Sequence, residues 1–438
     1  MGTWLIVFVF SQKNMNKSSK NETQSITPFE EIKQYRKRKN TSKISTITKQ
    51  DLEMYKLEKL DIAIVQSIWQ YLESLVVDTG ITCTWEWVST WIEHYGDVVD
   101  HCFILATYQG RPCGITIVTR ETNRKLPIPV KALHIGTSGE PYKDQVQMIN
   151  NQILATKEAR EAFYESLLDV ITTHFPWDEI VFDDYRHLDA QLVEQLIKNN
   201  SHKLNVDHKS CKYFDFTLAR KNQSTVLSNL STDTRYWIRR SKKILGDDFM
   251  LEWADNEEQA LDIFDEIGFL FQQKWTRHGQ RGIFASKRYV SFHKTLISKL
   301  LPQQKVILFR VTSKQFGTLG CLYMFVEKNV AYGYQIGLRD FTKMSFGNVN
   351  ANRIKGGFIL HTLCMQECMD RGYQAYNFSV GDYAYKKDLT NAEDVVATVS
   401  VRQSVLPYLR EGAIKLHYKL LHNKNAAYIL RPIKMMLT

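Results

Sequence analysis

Apolar residues recur at helical spacing between Leu57 and Leu75, at Leu60, Ile62, Ile64, Val65, Ile68, Trp69 and Leu72, and predict an amphipathic helix packed on a core. Trp85, Trp87 and Trp91 follow it. Their rings can stack bases or sugars, and packing in a core is the simpler account. Two apolar runs, Phe103 to Tyr108 and Cys113 to Val118, flank Gln109-Gly110-Arg111-Pro112 and predict a hairpin. A helix from about Glu158 to His174, a strand at Glu179 to Phe182, a helix at Asp189 to Asn199 and a strand at Lys212 to Leu218 complete a first α/β unit.

The stretch Thr225 to Leu245 reads as a helix, strongly basic at Arg235, Arg239, Arg240, Lys242 and Lys243. A solvated helix face accounts for it more simply than a dedicated anion site, and both readings stand. Helices at Glu257 to Trp275 and Lys287 to Leu300 lead to three predicted strands, Lys305 to Val311, Gly317 to Glu327 and Val330 to Leu338. The last two are joined by the turn Lys328-Asn329. A loop then reaches Gly356-Gly357 and a helix through about Arg371, stopped by Gly372, followed by strands at Ala375 to Val380 and Val395 to Arg402. The order is an antiparallel meander feeding a strand, helix, strand unit, an α/β pattern with mixed sheets. No repeat of solenoid period is present.

At 438 residues the chain exceeds a single ordinary core, and with 44% hydrophobic and 24% charged residues it can build one in each of two domains. The expected division is a basic, polar N-terminal arm over residues 1–50, a first domain over 51–220, a second over 221–412, and a basic amphipathic helix over 413–438. That last helix has two readings, a packed terminal helix or one lying on an anionic membrane surface. A net charge of +10 implies anionic company, whether nucleic acid, membrane or a phosphate-rich small molecule. Seven cysteines without a CxxC pair suit a reducing, cytoplasmic setting. The apolar run Trp4 to Phe10 is too short to span a membrane and makes a weak signal peptide, and Met15 is an equally good start.

The chemistry concentrates between Val330 and Lys387. A helix start presents unpaired N–H groups and a partial positive charge, and Gly356 and Gly357 there let a phosphate approach the main chain, with Arg353 and Lys355 adding charge. Ordinary helix packing also explains a glycine pair, but its position between two strands favours a ligand, since ligands gather at the carboxyl ends of strands in such sheets. GxxxxGK[ST], a GxGxxG after a strand, HExxH and GxSxG are all absent, which argues against NTPases, Rossmann dehydrogenases, zincins and serine hydrolases, and no metal site is expected. The run Asn377 to Asp388 gathers Asp382, Tyr385 and Lys386 beside Gly381. In acyl transfer Asp382 would take a proton from the nucleophile and Tyr385 would supply one to a departing thiolate.

Gly381-Asp382-Tyr383-Ala384-Tyr385-Lys386 resembles the Gly-x-x-x-Tyr-Lys signature of the CelD-like acetyltransferases, a branch of the GNAT superfamily tied to cellulose and other exopolysaccharide biosynthesis. Trp87 to Gly96, the basic helix Arg235 to Leu245 and Lys355-Gly356-Gly357 before Leu360 agree with it in order, so the resemblance covers about residues 60–405. It implies two tandem GNAT-like folds, as in the Fem peptidoglycan aminoacyltransferases, with acetyl-CoA or another acyl-CoA in a cleft of the second. Tyr332, Tyr334 and Gln335 would then line the pantetheine strand, whose amides can hold an oxyanion. Arg353, Lys355, Gly356 and Gly357 would hold the diphosphate, with Asp382, Tyr385 and Lys386 catalytic. The pattern [Gln/Arg]-x-x-Gly-x-[Gly/Ala] departs at Phe358, and Ile354-Lys355-Gly356 replaces the usual Ser-Pro-Gly, which shifts phosphate contact toward Lys355. The expected reaction moves an acyl group to an amine or hydroxyl of a sugar or polysaccharide precursor. The alternatives are transfer from aminoacyl-tRNA, the one nucleic acid expected, or a non-catalytic adaptor at the membrane.

Overall fold

Gln109 and Gly110 both take positive φ, 50° and 72°, which turns the chain tightly enough for strand β2 (His101–Tyr108) to pair with β3 (Arg111–Arg120) as the hairpin expected. The computed structural model describes residues 47–57, 62–121, 128–198, 203–277, 279–343, 353–381 and 383–422. The first half also holds β1 (Leu52–Leu57), helices α1 (Ile62–Leu75) and α2 (Trp85–Tyr95), β4 (Ala132–Ile135), β5 (Leu154–Ala155), α3 (Arg160–His174), β6 (Glu179–Arg186), α4 (His187–Lys198) and β7 (Lys203–Asp215). The second holds α5 (Thr217–Lys221), α6 (Thr232–Leu245), β8 (Phe249–Trp253), α7 (Glu257–Arg277), α8 (Lys287–Leu300), β9 (Val306–Ser313), β10 (Gly317–Glu327) and β11 (Val330–Leu338). It ends with α9 (Gly356–Asp370), β12 (Ala375–Val380), α10 (Ala384–Asp388), β13 (Ala392–Arg402) and α11 (Leu406–His422).

The strands form one mixed sheet in the order β1-β2-β3-β4-β6-β13-β7-β12-β11-β10-β9-β8, with β5 against β3. Strand β13, near the end of the chain, lies between β6 and β7 of the first half, and β7 in turn edges β12 of the second. The boundary expected near residue 220 follows the chain, while hydrogen bonds cross it in both directions.

Three cores hold the layers together. The first spans both halves: Trp87 and Trp91 are fully buried, and Trp87 meets Phe292 of α8 at 5.4 Å and Phe325 of β10 at 5.6 Å. The tryptophans are therefore core residues rather than a stacking platform, and truncating either would cost roughly 3–5 kcal/mol. The second core lies under α3 and α4, and the third, with Ile238, Leu245, Ile359 and Leu360, lies under α6 and α9.

Several boundaries differ from the pattern in the sequence. Leu57 ends an edge strand paired with β2, and the helix starts at Ile62. Strand β7 begins at Lys203 rather than Lys212 because its alternating polar positions face solvent, and residues after Asp215 turn into α5. Of the arm over residues 1–50, residues 1–46 lie outside the described residues, as do residues 423–438 of the terminal helix. The described part of that helix, α11, leaves Val405 just before it, Leu409 and Leu416 exposed. Among the described residues no helix is long and apolar enough to cross a membrane.

Candidate functional site

Strands β11 and β12 pair in parallel only at Val330–Ala375, Ala331–Tyr376 and Tyr332–Asn377, and then separate. Both strands carry an irregularity at the parting. On β11, Tyr334 is an extra residue between the pairs Gln335–Tyr323 and Gly333–Met324, a bulge that bends the strand away. On β12 the register with β7 slips between Asn377 and Val380, where Ser379 sits at φ 54°. Its hydroxyl donates to the Gly333 carbonyl at 2.6 Å, so a side-chain bond clasps the apex of a wedge whose two strands make no further pairs with each other among the described residues.

The open end of the wedge meets the start of α9. A Cβ on Gly357 would lie 3.5 Å from Leu338, the last residue of β11, and one on Gly356 would lie 2.6 Å from the Phe341 ring. Gly356 thus permits close packing, whereas Gly357 faces a less crowded side. Lys355 is the N-cap and offers no side-chain cap; its own N–H donates to Ser241 Oγ of α6 at 2.9 Å. Among the described residues the N–H groups of Gly356 and Gly357 have no acceptor, so they remain for an anion, reinforced by the helix dipole. Arg353 is exposed, and Phe358 packs toward the third core rather than the mouth.

Tyr385, on α10 just past the end of β12, stacks on the His361 ring of α9 at 5.8 Å and on Tyr383 at 6.1 Å. Burial, and secondarily the neighbouring Tyr383, raise its phenol above the ordinary tyrosine range, so it carries its proton at neutral pH. His361 had no sequence signal beyond its place on α9. Its Nδ1 pairs with the Tyr376 hydroxyl at 2.8 Å while its buried Nε2 has no hydrogen-bond partner among the described residues, and burial, aided by the Lys386 charge, lowers its pKa to about 3.

The other residues singled out in the sequence fall into different surroundings. The Lys386 ammonium is buried and donates to the carbonyls of Phe378, Ser379 and Val380 at 2.8, 3.0 and 2.9 Å. It fastens the end of β12. Asp382 lies outside the described residues. Tyr332 is half-buried at the apex, lining a narrow cavity with Asn150, Asn377 and Ser379. Tyr334 accepts from the Gln147 N–H at 3.2 Å and meets His293 and Tyr323, and Gln335 donates to the Tyr289 hydroxyl at 3.0 Å. These two side chains therefore serve the first core, and it is the main chain of β11 that faces the wedge.

The first half repeats the unit as β4, α3 and β6, with parallel pairs from Ala132–Glu179 to His134–Val181. There the gap is filled. Asn151 bridges to Tyr185, its N–H donates to the Asp184 carbonyl at 2.9 Å, and its side-chain amide donates to the Ile135 carbonyl at 3.1 Å. Helix α3 starts at Arg160 after Ala159, without glycine. Among the described residues only the second half has a parted strand pair facing a glycine helix start.

The mixed sheet, with a parted strand pair and a helix start in its second half, has the architecture of two tandem GNAT-like folds. Residues 232–387 match the family described as acetyltransferase (GNAT) domain. Among solved structures, FemX shares 12% identity at a TM-score of 0.52, over 81% of this chain and 98% of that one, a likeness of fold. The C-terminal domain of a putative lysylphosphatidylglycerol synthetase from Agrobacterium fabrum shares 11% identity at a TM-score of 0.47, over 82% and 97%. A tandem GNAT protein from the clavulanic acid biosynthesis pathway shares 8% at 0.41, over 81% and 99%. No curated protein matches the sequence.

Proposed function

We propose that this chain is an acyl-CoA-dependent acyltransferase, with its donor in the wedge between β11 and β12 and its acceptor an amine or hydroxyl of a sugar or polysaccharide precursor. The observation that carries the reading is the coincidence of the parted strands with the unpaired Gly356 and Gly357 N–H groups at one end and a protonated Tyr385 past the other strand. The GNAT domain match supports the donor class. The saccharide acceptor rests on the resemblance of Gly381 to Lys386 to CelD-like enzymes.

In this reading the diphosphate lies on the mouth of α9, with Lys355 and Arg353 beside it, and the pantetheine arm runs along the β11 main chain. The acceptor attacks the thioester carbonyl, forming the new N–C or O–C bond. The oxyanion draws on main-chain N–H groups of β11, and its collapse breaks the C–S bond. The thiolate takes the phenolic proton of Tyr385, and the proton lost by the acceptor goes to Asp382, the proposed base.

Calorimetry with acetyl-CoA and longer acyl-CoAs, followed by mass-spectrometric detection of acyl transfer onto nucleotide sugars, tests both parts. Binding of an acyl-CoA with turnover on a sugar acceptor is expected. Absence of binding to every acyl-CoA, together with salt-sensitive binding of charged tRNA, would replace this donor with an aminoacyl one.

A further inference from the structure

Val405, Leu409 and Leu416 are 61%, 54% and 58% exposed, at the start of and along α11. The Leu409 N–H donates to the Val405 carbonyl at 3.1 Å, so Val405 already lies in the first helical turn. Steps of four and seven residues return to one face of a helix, and with Gly412 between them the three side chains line a single stripe about three turns long. Roughly opposite that stripe stand Pro407, Arg410 and Glu411. Pro407 is buried, Arg410 donates to Glu121 at 2.6 Å and to Glu179 at 3.3 Å, and Glu411 accepts from Arg402 at 3.3 Å. These ion pairs fix the rotation of α11, so the stripe cannot roll inward against the body. A lone exposed leucine is ordinary, whereas an apolar stripe held outward is a face made to be covered.

Charge says what covers it. Glu411 is the last Asp or Glu of the chain, and residues 412–438 carry Lys415, Lys419, Lys424, Arg431 and Lys434. A second copy of the chain seated on this face would bring those like charges together. An apolar stripe followed by uncompensated basic residues instead matches the boundary of an anionic bilayer, where hydrocarbon lies just beneath a negative surface. Among the described residues no helix is long and apolar enough to cross such a bilayer, so the contact is with its surface.

We propose that α11 is a surface anchor: the stripe of Val405, Leu409 and Leu416 enters the headgroup boundary of a membrane rich in anionic lipid, the basic residues that follow meet the headgroups, and Arg402 and Arg410 tie the body to the anchored helix. The inference stands apart from the acyl-donor reading and survives its failure.

Co-sedimentation of the full chain with vesicles tests it. Phosphatidylcholine vesicles in which phosphatidylglycerol makes up about a third of the lipid should bind the chain at least about tenfold more tightly than phosphatidylcholine alone, and added salt should shrink the difference. Leu409→Asp with Leu416→Asp should lower that binding at least about tenfold and leave the melting temperature near wild type, since neither side chain is buried. Leu409→Lys with Leu416→Lys separates insertion from attraction: it adds positive charge, so a purely electrostatic contact would tighten, while the proposed anchor loosens. Equal binding to both vesicle types, tighter binding by the lysine variant or no vesicle binding by wild type would each overturn the proposal. So would a wild-type dimer in sedimentation velocity that the aspartate variant dissolves, because the stripe would then be covered by a second copy.

Discussion

Neighbours in sequence, Tyr385 and Lys386 stand in different surroundings. The Lys386 ammonium is buried and donates to three carbonyls at the end of β12, which fastens that strand. Tyr385 is stacked, half-buried and protonated. The Gly-x-x-x-Tyr-Lys pattern singled out both residues, but a motif carries no information on depth, so it could not tell the half-buried stacked phenol from the buried, thrice-bonded ammonium. His361 was illegible for a related reason: nothing in the helix pattern distinguishes a histidine stacked against Tyr385 from any other buried one. A phenol acting as acid works while protonated, and burial moves its pKa upward, so turnover should hold through the ordinary tyrosine range near pH 10 before falling. Tyr385→Phe should lower kcat on the order of a hundredfold, flatten that alkaline limb and leave acetyl-CoA affinity unchanged, as read from pH–rate profiles and calorimetry. An unchanged kcat would remove Tyr385 from the chemistry.

At the level of elements, α9 and β11 could be read from the sequence almost to the residue, because glycine, strict alternation and the Lys328-Asn329 turn leave local marks; both turn residues sit at positive φ, 47° and 60°. Strand β4 has four residues and leaves none. The wedge itself was only implied, since the bulge at Tyr334 and the strained Ser379 arise from pairing with β10 and β7, far away in sequence. Two adjacent glycines at the mouth separate packing from binding. A Cβ on Gly356 runs into Phe341, whereas one on Gly357 makes an ordinary 3.5 Å contact. Gly356→Ala should therefore lower the melting temperature, the overpacking costing roughly 1–3 kcal/mol. Gly357→Glu should melt near wild type yet lose acetyl-CoA binding, its carboxylate occupying the anion's place. If Gly357→Glu bound acetyl-CoA normally in calorimetry, the helix mouth would not be the diphosphate site.

Across the whole molecule, the two halves carry the same strand, helix, strand unit, yet Asn151 closes one wedge while the other stays parted. A filled wedge gains hydrogen bonds and stiffness and gives up a binding cleft, so in the proposed reading the first half is the support and the second the working fold. The support is not detachable. Strand β13 forms eleven register pairs with β7, from Ala392–Tyr213 to Arg402–Lys203, and pairs with β6 on its other side, and Arg402 is anchored to Glu179 at 2.6 Å. Removing it would bare two strand edges in the middle of the sheet and expose Val399 and Val401, which are buried in the first half's core. A chain ending at residue 391 keeps every residue of the proposed donor site, so a self-sufficient second domain would still bind acetyl-CoA. The shared sheet predicts otherwise. That truncation should lose the cooperative thermal transition of the full chain and its acetyl-CoA binding together, and adding residues 392–402 back as a separate peptide should restore both in part. A truncated chain that melted cooperatively and bound the donor would show that the halves are independent and that β13 only decorates the first.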